Sequence, residues 1–94
     1  MPALTKDLLV KVVADETGFP IRQSDEMVET LIELIKESLV SGDDVLISGF
    51  GKFSVRAKKE RRGRNPATGG TMMLRPRRIV SFKWSGNLRR KLNP

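Results

Sequence analysis

The chain has 94 residues and contains neither cysteine nor histidine, so disulfides, the usual zinc sites and haem or iron–sulfur ligation are excluded. A domain this small buries little surface and is only marginally stable alone, so association with a second subunit is expected. The formal net charge of +7 favours a polyanionic partner, and no nucleophile is paired with a recognisable base, so neither an enzyme nor a cofactor is expected.

Two amphipathic helices are predicted at the start of the chain. Thr5 is a suitable N-cap for the first helix, whose apolar residues recur at helical spacing until Gly18. The second helix is expected to begin at Arg22 or Ser24 and to end at Gly42, and its apolar residues fill more than one narrow stripe. Because so wide an apolar face needs more cover than one small chain offers, it is a second indication of a dimer.

A β-hairpin with one basic face is predicted after the second helix. Residues 45–48 have the composition of a strand, 49–51 form a tight connection and 52–59 form the next strand. In that strand the apolar residues at 53, 55 and 57 alternate with polar or basic residues, which is the period of a strand with one buried face.

The following segment, about residues 58–76, is basic and poor in large apolar residues. Gly63, Pro66, Gly69 and Gly70 interrupt any helix within it. The segment is therefore predicted to project as an extended two-stranded ribbon, with the turn at residues 65–69, where proline fixes one corner and glycine accepts a positive φ.

The chain is predicted to return to the sheet through a strand at residues 77–83, with Val80 and Phe82, or Ile79, facing inward. Ser85 is suited to cap a short last helix that extends through Leu92. The predicted fold is a single α+β domain. It comprises two N-terminal helices (1–42), a three-stranded antiparallel sheet (43–83) extended into a β-ribbon arm (about 58–76), and a short C-terminal helix (84–94).

Charge is divided unevenly along the chain. Residues 1–47 hold four basic and ten acidic residues, a net charge of −6, whereas residues 48–94 hold fourteen basic residues and one acidic residue, a net charge of +13. Nucleic acid is the commonest partner for a basic segment of this density, and an anionic membrane is the weaker candidate. No signal peptide and no membrane-spanning segment is recognisable, so a cytoplasmic location is expected.

Two motifs resemble the bacterial HU and integration host factor family. They are Gly49-Phe50-Gly51-Lys52-Phe53 and, at the expected distance, Gly63-Arg64-Asn65-Pro66-Ala67-Thr68-Gly69, and the resemblance extends over essentially the whole chain. It implies an intertwined dimer whose two arms reach around a DNA duplex. In this family of minor-groove architectural proteins, the arm-tip proline wedges between base pairs and bends the DNA.

The resemblance implies a set of side chains for each role. Pro66 would be the wedge, and Arg64 and Asn65 would enter the minor groove beside it. The full set of implied contacts to double-stranded DNA is Lys6, Ser48, Lys58, Lys59, Arg61, Arg62, Arg64, Asn65, Pro66, Thr68, Gly69, Arg75, Arg77, Arg78, Lys83 and Lys91. The implied subunit interface is Val28, Leu31, Ile32, Ile35, Leu39, Phe50, Phe53 and Phe82.

The branch of the family is indicated by residues 77–82, Arg-Arg-Ile-Val-Ser-Phe, which resemble the alpha subunit of integration host factor more than HU. An alpha-like chain would pair with a beta-like second subunit, and it would be associated with the nucleoid in DNA condensation, recombination and gene regulation. Departures from the family pattern are Trp84-Ser85-Gly86, in place of a small residue or proline followed by glycine, and the apolar run Met72-Met73-Leu74.

Three alternatives remain open at the level of sequence. The first is an HU-like homodimer with little sequence preference. The second is an RNA-binding or ribosome-associated protein, because basic ribbons also follow RNA backbones. The third is an enzyme acting on nucleic acid, for which the missing ligand set offers no support. By local chemistry alone, Pro66 is simply a turn former and Phe50 and Phe53 are core residues.

Overall fold

The computed structural model describes residues 3–59 and 61–94, with Arg61 and Leu74 described in their backbone alone. The predicted α+β class and order of elements are confirmed. Among the described residues, no helix is long and apolar enough to cross a membrane. The elements are α1 (Lys6–Thr17), α2 (Ile21–Val40), β1 (Val45–Ile47), β2 (Gly51–Lys58), β3 (Arg61–Arg64), β4 (Thr71–Leu74), β5 (Arg77–Trp84) and α3 (Gly86–Leu92).

Helix α1 begins and ends where the sequence predicts. The hydroxyl of Thr5 accepts a hydrogen bond from the backbone N–H of Leu8 at 3.2 Å. At the other end, Gly18 has a φ of 76° and donates its backbone N–H to the carbonyl of Ala14 at 2.9 Å. Both termini therefore satisfy backbone groups that a helix leaves unpaired.

Helix α2 begins earlier than predicted, at Ile21 and not at Arg22 or Ser24. The carbonyl of Pro20 accepts the first hydrogen bond of the helix, from the backbone N–H of Ser24 at 2.9 Å. Ser24 is consequently inside the first turn and fully buried, so it does not cap the helix. Proline is not among the usual capping residues, which explains the error.

The C-terminus of α2 is closed by a glycine turn. Gly42 has a φ of 90° and donates to the carbonyl of Leu39 at 3.0 Å, while Asp43 donates to that of Ser38 at 2.9 Å. This pair of hydrogen bonds is the Schellman arrangement, which requires a residue in the left-handed region. The helical segment itself ends at Val40, two residues before the predicted stop.

The chain divides into two compact units, one ending at Glu37 and the other from Ser38 to Pro94. In the first unit, Val10 and Ala14 of α1 and Ser24 and Val28 of α2 are the buried residues. Each pair is spaced by four residues, so one face of each helix is covered.

In the second unit, three strands form an antiparallel sheet in the order β1-β2-β5. Strands β2 and β5 pair from Gly51 opposite Trp84 to Lys58 opposite Arg77. The predicted strands are confirmed to within one residue at their ends. Ser48, predicted as the last residue of β1, belongs instead to the turn in which Phe50 donates to the carbonyl of Ile47 at 3.0 Å.

One face of this sheet is apolar. Phe53 lies opposite Phe82, and Val55 opposite Val80. The Phe82 ring contacts those of Phe53 and Phe50, with centroids 4.8 Å and 5.1 Å away. Of the two predicted alternatives, the register places Val80 and Phe82 on the face of Phe53, and Ile79 on the other face, opposite Arg56. The predicted burial of Ala57 and Val80 was wrong, because Ala57 is exposed and Val80 is 54% exposed.

Glycine is required at position 51 by the Phe82 ring. A Cβ at Gly51 would lie 2.5 Å from two ring carbons of Phe82 and 2.7 Å from the backbone oxygen of Lys83. The close approach of the ring to the β2 backbone therefore depends on the absence of a side chain.

The predicted arm is a two-stranded antiparallel ribbon formed by β3 and β4. Arg61 lies opposite Leu74, and Arg64 opposite Thr71. Two residues separate Lys58 from Arg61 and two separate Leu74 from Arg77, so the pairing within the arm has the same offset as the pairing of β2 with β5. Pro76, in the second of these gaps, has no N–H to donate, which accounts for an interruption of the ladder there.

Candidate nucleic-acid interface

The second face of the sheet is basic. Because side chains alternate along a strand, this face carries the residues that lie between those of the apolar face. Lys52 is paired with Lys83, and Lys58 with Arg77, while Arg56 lies between them opposite Ile79. The register thus places two like-charged pairs directly across from each other.

Such pairs destabilise an isolated sheet by roughly 0.2–1 kcal/mol each, since like charges directly opposite repel. One of the four cations is partly compensated, because a carboxylate oxygen of Asp44 lies 3.4 Å from the ammonium group of Lys52. The other carboxylate oxygen of Asp44 accepts a hydrogen bond from the backbone of Val55 at 3.3 Å. A bound polyanion would offset the repulsion between the remaining cations, because it attracts each of them.

Two members of this surface, Lys52 and Arg56, were not among the predicted contacts. The alternation of residues 52–58 already indicated that both belong to the basic face with Lys58. What the sequence lacked was the register, which places Lys52 against the predicted contact Lys83.

The basic face continues in phase into the arm. Arg62 and Arg64 stand an even number of residues from Lys58, and their cross-strand partners are Met73 and Thr71. Arg75 stands two residues before Arg77 on the returning side and is exposed. Gly63 and Met72 pair on the opposite face of the ribbon. The side chain of Arg61, another predicted contact, lies outside the described residues.

The tip of the arm is held by its own hydrogen bonds. Asn65 and Gly70 close the ribbon at 2.7 Å, and the N–H of Gly69 donates to the carbonyl of Asn65, also at 2.7 Å. The side-chain oxygen of Asn65 accepts from Ala67 at 2.9 Å, and the hydroxyl of Thr68 accepts from Gly70 at 3.3 Å. These local bonds fix the turn in the manner of Asx and Ser/Thr turns.

Pro66 is exposed at the summit of this turn. Gly69 has a φ of 73°, a conformation that residues with a side chain rarely adopt. The Nε of Arg64 donates a long hydrogen bond of 3.5 Å to the carbonyl of Gly69. Thr68 and Gly69, predicted as DNA contacts, therefore have a demonstrable role in shaping the turn. The side-chain oxygen of Asn65 is engaged within the turn, so its side-chain nitrogen is the group able to donate a hydrogen bond to a ligand.

Arg78, a predicted contact, does not lie on the basic face. It is adjacent to Arg77 on β5 and so points to the opposite side. Its Nη1 donates to the carbonyl of Val40 at 2.8 Å, at the end of α2. A cation in this position satisfies an unpaired carbonyl and interacts favourably with the helix dipole.

The other predicted contacts are dispersed. Lys6 forms an ion pair with Glu29 between α1 and α2. Ser48 lies in the turn between β1 and β2, Lys59 follows β2, and Lys91 is in the last turn of α3. All four are exposed.

A comparison with known proteins identifies the group to which this architecture belongs. The family model described as bacterial DNA-binding protein matches residues 4–93. The chain belongs to this family of bacterial DNA-binding proteins. It is 47% identical over 91 residues to integration host factor subunit alpha of Delftia acidovorans, covering 97% of this chain and 83% of the relative. It is 42% identical over 90 residues to the Myxococcus xanthus subunit alpha, covering 96% and 70%.

Solved structures of the bacterial DNA-binding family have the same fold. Anabaena HU in a cocrystal with DNA matches with a TM-score of 0.83 and 36% identity, covering 96% of this chain and 98% of that chain. An HU mutant from Thermotoga maritima matches with a TM-score of 0.70 and 27% identity, covering 95% and 99%. These matches confirm the predicted family and the predicted likeness to the alpha subunit. They agree with DNA and a second family subunit as the predicted partners.

The residues predicted for the family's subunit interface differ in exposure. Leu31 on α2 is 58% exposed, and Phe50 and Phe82 on the sheet are both 44% exposed. Ile32, Ile35, Leu39 and Phe53 are half-buried. Val28 is only 5% exposed and belongs to the core of its own unit, so it has little surface left to offer a second subunit.

Proposed function

We propose that the chain binds the minor groove of duplex DNA as one subunit of a dimer and bends the DNA sharply by inserting Pro66 between base pairs. The observation that carries this proposal is that the pairing of β3 with β4 has the same offset as the pairing of β2 with β5. This shared offset aligns Lys58 and Arg77 of the body with Arg62 and Arg64 of the arm along one basic face. A polyanion bound to the body could therefore contact basic side chains along the arm as far as its tip.

The arm has the length and the ordered tip that this role requires. From Lys58 to Asn65 the chain extends about 25 Å at the usual rise of a strand. The side chains of Asn65 and Thr68 accept hydrogen bonds from the backbone of the tip turn, which reduces the backbone entropy that Pro66 loses on binding. A preorganised apolar ring at the end of a cationic ribbon suits insertion between stacked bases.

The energy balance favours a protein that couples bending to many phosphate contacts. Unstacking one base step costs roughly a few kcal/mol, as in the minor-groove architectural proteins of which this family is an example. Smooth bending of the flanking DNA adds about 1–6 kcal/mol. Release of counterions by the arginines and lysines of the basic face offsets both costs, so affinity is expected to fall steeply with salt.

The second subunit is supported by apolar surface that the chain leaves exposed. On α2, Met27, Leu31 and Leu34 recur at helical spacing and are 43%, 58% and 55% exposed. On the sheet, the Phe50–Phe82 cluster is also partly exposed. Contiguous apolar surface of this kind marks an interaction site. Two arms on one dimer would hold DNA from both sides.

The experiment that tests this function measures energy transfer between dyes at the two ends of a short duplex during titration with the protein. We expect the ends to approach as the chain binds, alone or with a beta-like subunit. Pro66→Ala should reduce the approach of the ends much more than it reduces affinity. Pro76→Ala, which alters the other proline of the arm segment, is the matched control and should leave bending intact. If the duplex is bound but its ends do not approach, either with the chain alone or with an added beta-like subunit, bending is refuted.

An HU-like homodimer is the second candidate, favoured by the TM-score of 0.83 to the Anabaena HU structure. Sedimentation of the purified chain separates the two candidates, because a homodimer forms without another subunit. A chain that bends DNA only after a beta-like subunit is added is the alpha-like member of a heterodimer. In either form the protein would act on the nucleoid within the cytoplasm.

A further inference from the structure

Two adjacent methionines lie on the returning strand of the arm. Strand β4 places Met73 directly opposite Arg62, and its neighbour Met72 lies opposite Gly63. Because consecutive side chains of a strand point to opposite faces, Met73 shares the basic face of the ribbon with Arg62 and Arg64. Met72 lies on the other face. The ribbon thus presents one thioether beside its arginines and one behind them.

Both thioethers are open to solvent. Met72 is 40% exposed and Met73 is 54% exposed, although methionine more often fills gaps in a hydrophobic core. The chain contains no cysteine, so a mild two-electron oxidant reacts chiefly with its methionines. Met27, the other methionine that the structure describes, lies on the apolar surface of α2 that the proposed dimer covers. The arm therefore carries the most accessible described oxidation sites of the dimer.

We propose that Met73 is a site of reversible oxidation by a peroxide and that its sulfoxide lowers the affinity of the arm for DNA. The sulfur attacks one peroxide oxygen, an S–O bond forms and the O–O bond breaks. With hydrogen peroxide the second oxygen leaves as water, so the sulfur loses two electrons and the peroxide gains them. Two thiols can reverse the step, which returns the thioether, one disulfide and one water. The inference rests on the proposed function, because it requires that the basic face of the arm bind DNA.

The register gives the physical reason for a loss of affinity. Side chains directly opposite on an antiparallel pair have Cβ atoms about 4.5–5.5 Å apart. A sulfoxide oxygen on Met73 is therefore within reach of the guanidinium group of Arg62 and, as an acceptor, competes with phosphate for that cation. The minor-groove edge of an A·T pair presents only acceptors, so the same oxygen would lose water there without gaining a donor.

Met72 is the matched comparison within the same strand. Its oxidation introduces the same polar group on the opposite face of the ribbon, across from Gly63, which has no side chain to engage. The sulfoxide of Met72 would therefore leave Arg62 available to DNA. Oxidation of two neighbouring residues is expected to have different effects on binding.

The experiment compares the intact unaltered chain with Met73→Leu and Met72→Leu, each with a beta-like subunit if binding requires one. Leucine conserves volume and apolarity but cannot form a sulfoxide. Affinity for a duplex is measured before and after treatment with hydrogen peroxide, and peptide mass spectrometry quantifies the sulfoxide at each methionine. Met1 and Met27 are present in all three proteins. We expect treatment to weaken binding about tenfold in the unaltered chain and in Met72→Leu, and less than about twofold in Met73→Leu.

Reversal and protection provide two further readouts. A methionine sulfoxide reductase supplied with a dithiol should restore the affinity of the treated unaltered chain, which irreversible damage would not allow. A duplex that is bound before treatment should slow sulfoxide formation at Met73 more than at Met72, because it covers the basic face.

Three outcomes would overturn the inference and leave the proposed function intact. One is the same loss of affinity in Met73→Leu as in the unaltered chain. Another is a sulfoxide at Met73 in most molecules with no loss of affinity. The third is equal protection of Met72 and Met73 by bound DNA, which would contradict their assignment to different faces of the interface. Failure of the untreated protein to bind a duplex would instead count against the proposed function itself.

Discussion

The sheet of the body and the ribbon of the arm are consecutive stretches of the same pair of strands, yet they are stabilised differently. Strands β2 and β5 share one register with β3 and β4. The body adds an apolar face, where Phe82 packs against Phe50 and Phe53. The arm has a tip closed by hydrogen bonds of Asn65 and Thr68 and no comparable aromatic cluster among its described residues. Continuous register thus supports two kinds of stability.

This difference has a functional consequence. Aromatic packing stabilises the body, whereas the arm depends on ladder and turn hydrogen bonds, and most of its described side chains are exposed. Local opening is therefore expected to be easier in the arm than in the body. Variants that separate the stability of the body from the behaviour of the arm test whether the comparison is correct.

The largest effect is expected from Gly51→Ala in the body. The new Cβ would collide with the Phe82 ring and with the backbone oxygen of Lys83, and the backbone oxygen has little freedom to retreat. We expect the free energy of unfolding to fall by about 2 kcal/mol, as for other overpacked sites. Urea unfolding followed by circular dichroism at fixed protein concentration measures it.

The matched control is Gly86→Ala in the first turn of α3. A Cβ at Gly86 would have Arg90 Nη1 as its nearest neighbour, at 3.6 Å, and alanine favours a helix. Its unfolding should be unchanged or slightly shifted to higher urea. Equal destabilisation by both substitutions would mean that the close approach of Phe82 to β2 is not what holds the body.

Arg64→Gln should change DNA binding with no change in urea unfolding, because the side chain lies in the arm and uses only its Nε for a long internal hydrogen bond. We expect about a tenfold loss of affinity in moderate salt. The slope of log affinity against log salt should become shallower by about 0.9 for each phosphate contact that is lost.

Arg22→Gln is the control for charge. Arg22 lies in the first turn of α2, its side chain is 93% exposed, and its removal changes the net charge by the same amount. The salt dependence of this variant should match that of the unaltered protein. A parallel change in both variants would show that net charge, and not the arm, sets affinity.

The capping and turn chemistry was predictable because single residues dictate it. Thr5, Gly18 and Ser85 terminate helices as expected, and residues 65–69 form the expected turn. The start of α2 was missed because Pro20 is not a usual capping residue. These features are decided within a few residues, so no knowledge of distant partners was needed.

The basic face was only partly predictable because it depends on register. Adjacent arginines on a strand point to opposite sides, so Arg77 and Arg78 could not both face DNA from β5. Which one does so is decided by the pairing of β5 with β2 across a separation of many residues. The same pairing revealed Lys52 and Arg56. The hydrogen bond from Arg78 to the carbonyl of Val40 also joins residues far apart in sequence, so no local pattern predicted it.

Gly69→Ala should loosen the arm and spare the body. The position has a φ of 73° with no atom within 4 Å of an added Cβ, so the cost comes from backbone strain alone, about 1 kcal/mol. Exchange of the Gly69 and Asn65 amide protons should accelerate about fivefold. Gly70→Ala, at a neighbouring position without a positive φ, should accelerate it less. Unchanged exchange in the first variant would show that the turn is not under this constraint.

The smallest effect is expected from Lys83→Gln, which should raise stability and lower affinity for DNA. Lys83→Gln removes the repulsion between Lys83 and Lys52 and should raise the free energy of unfolding by a few tenths of a kcal/mol at low salt. The gain should fade as salt screens the charges. Affinity for a long duplex should fall in the same variant.

Lys91→Gln provides the comparison, because Lys91 lies in the last turn of α3, where a cation is favourable, and its removal should lower stability slightly. A destabilised Lys83→Gln protein would mean that the opposed lysines are not in repulsion, and the basic face would lose its strongest physical sign of a polyanionic ligand. A Lys83→Gln protein that is more stable but binds DNA less well would show that the basic face lowers the stability of the sheet and raises its affinity for DNA. The apolar face, in contrast, contributes to stability.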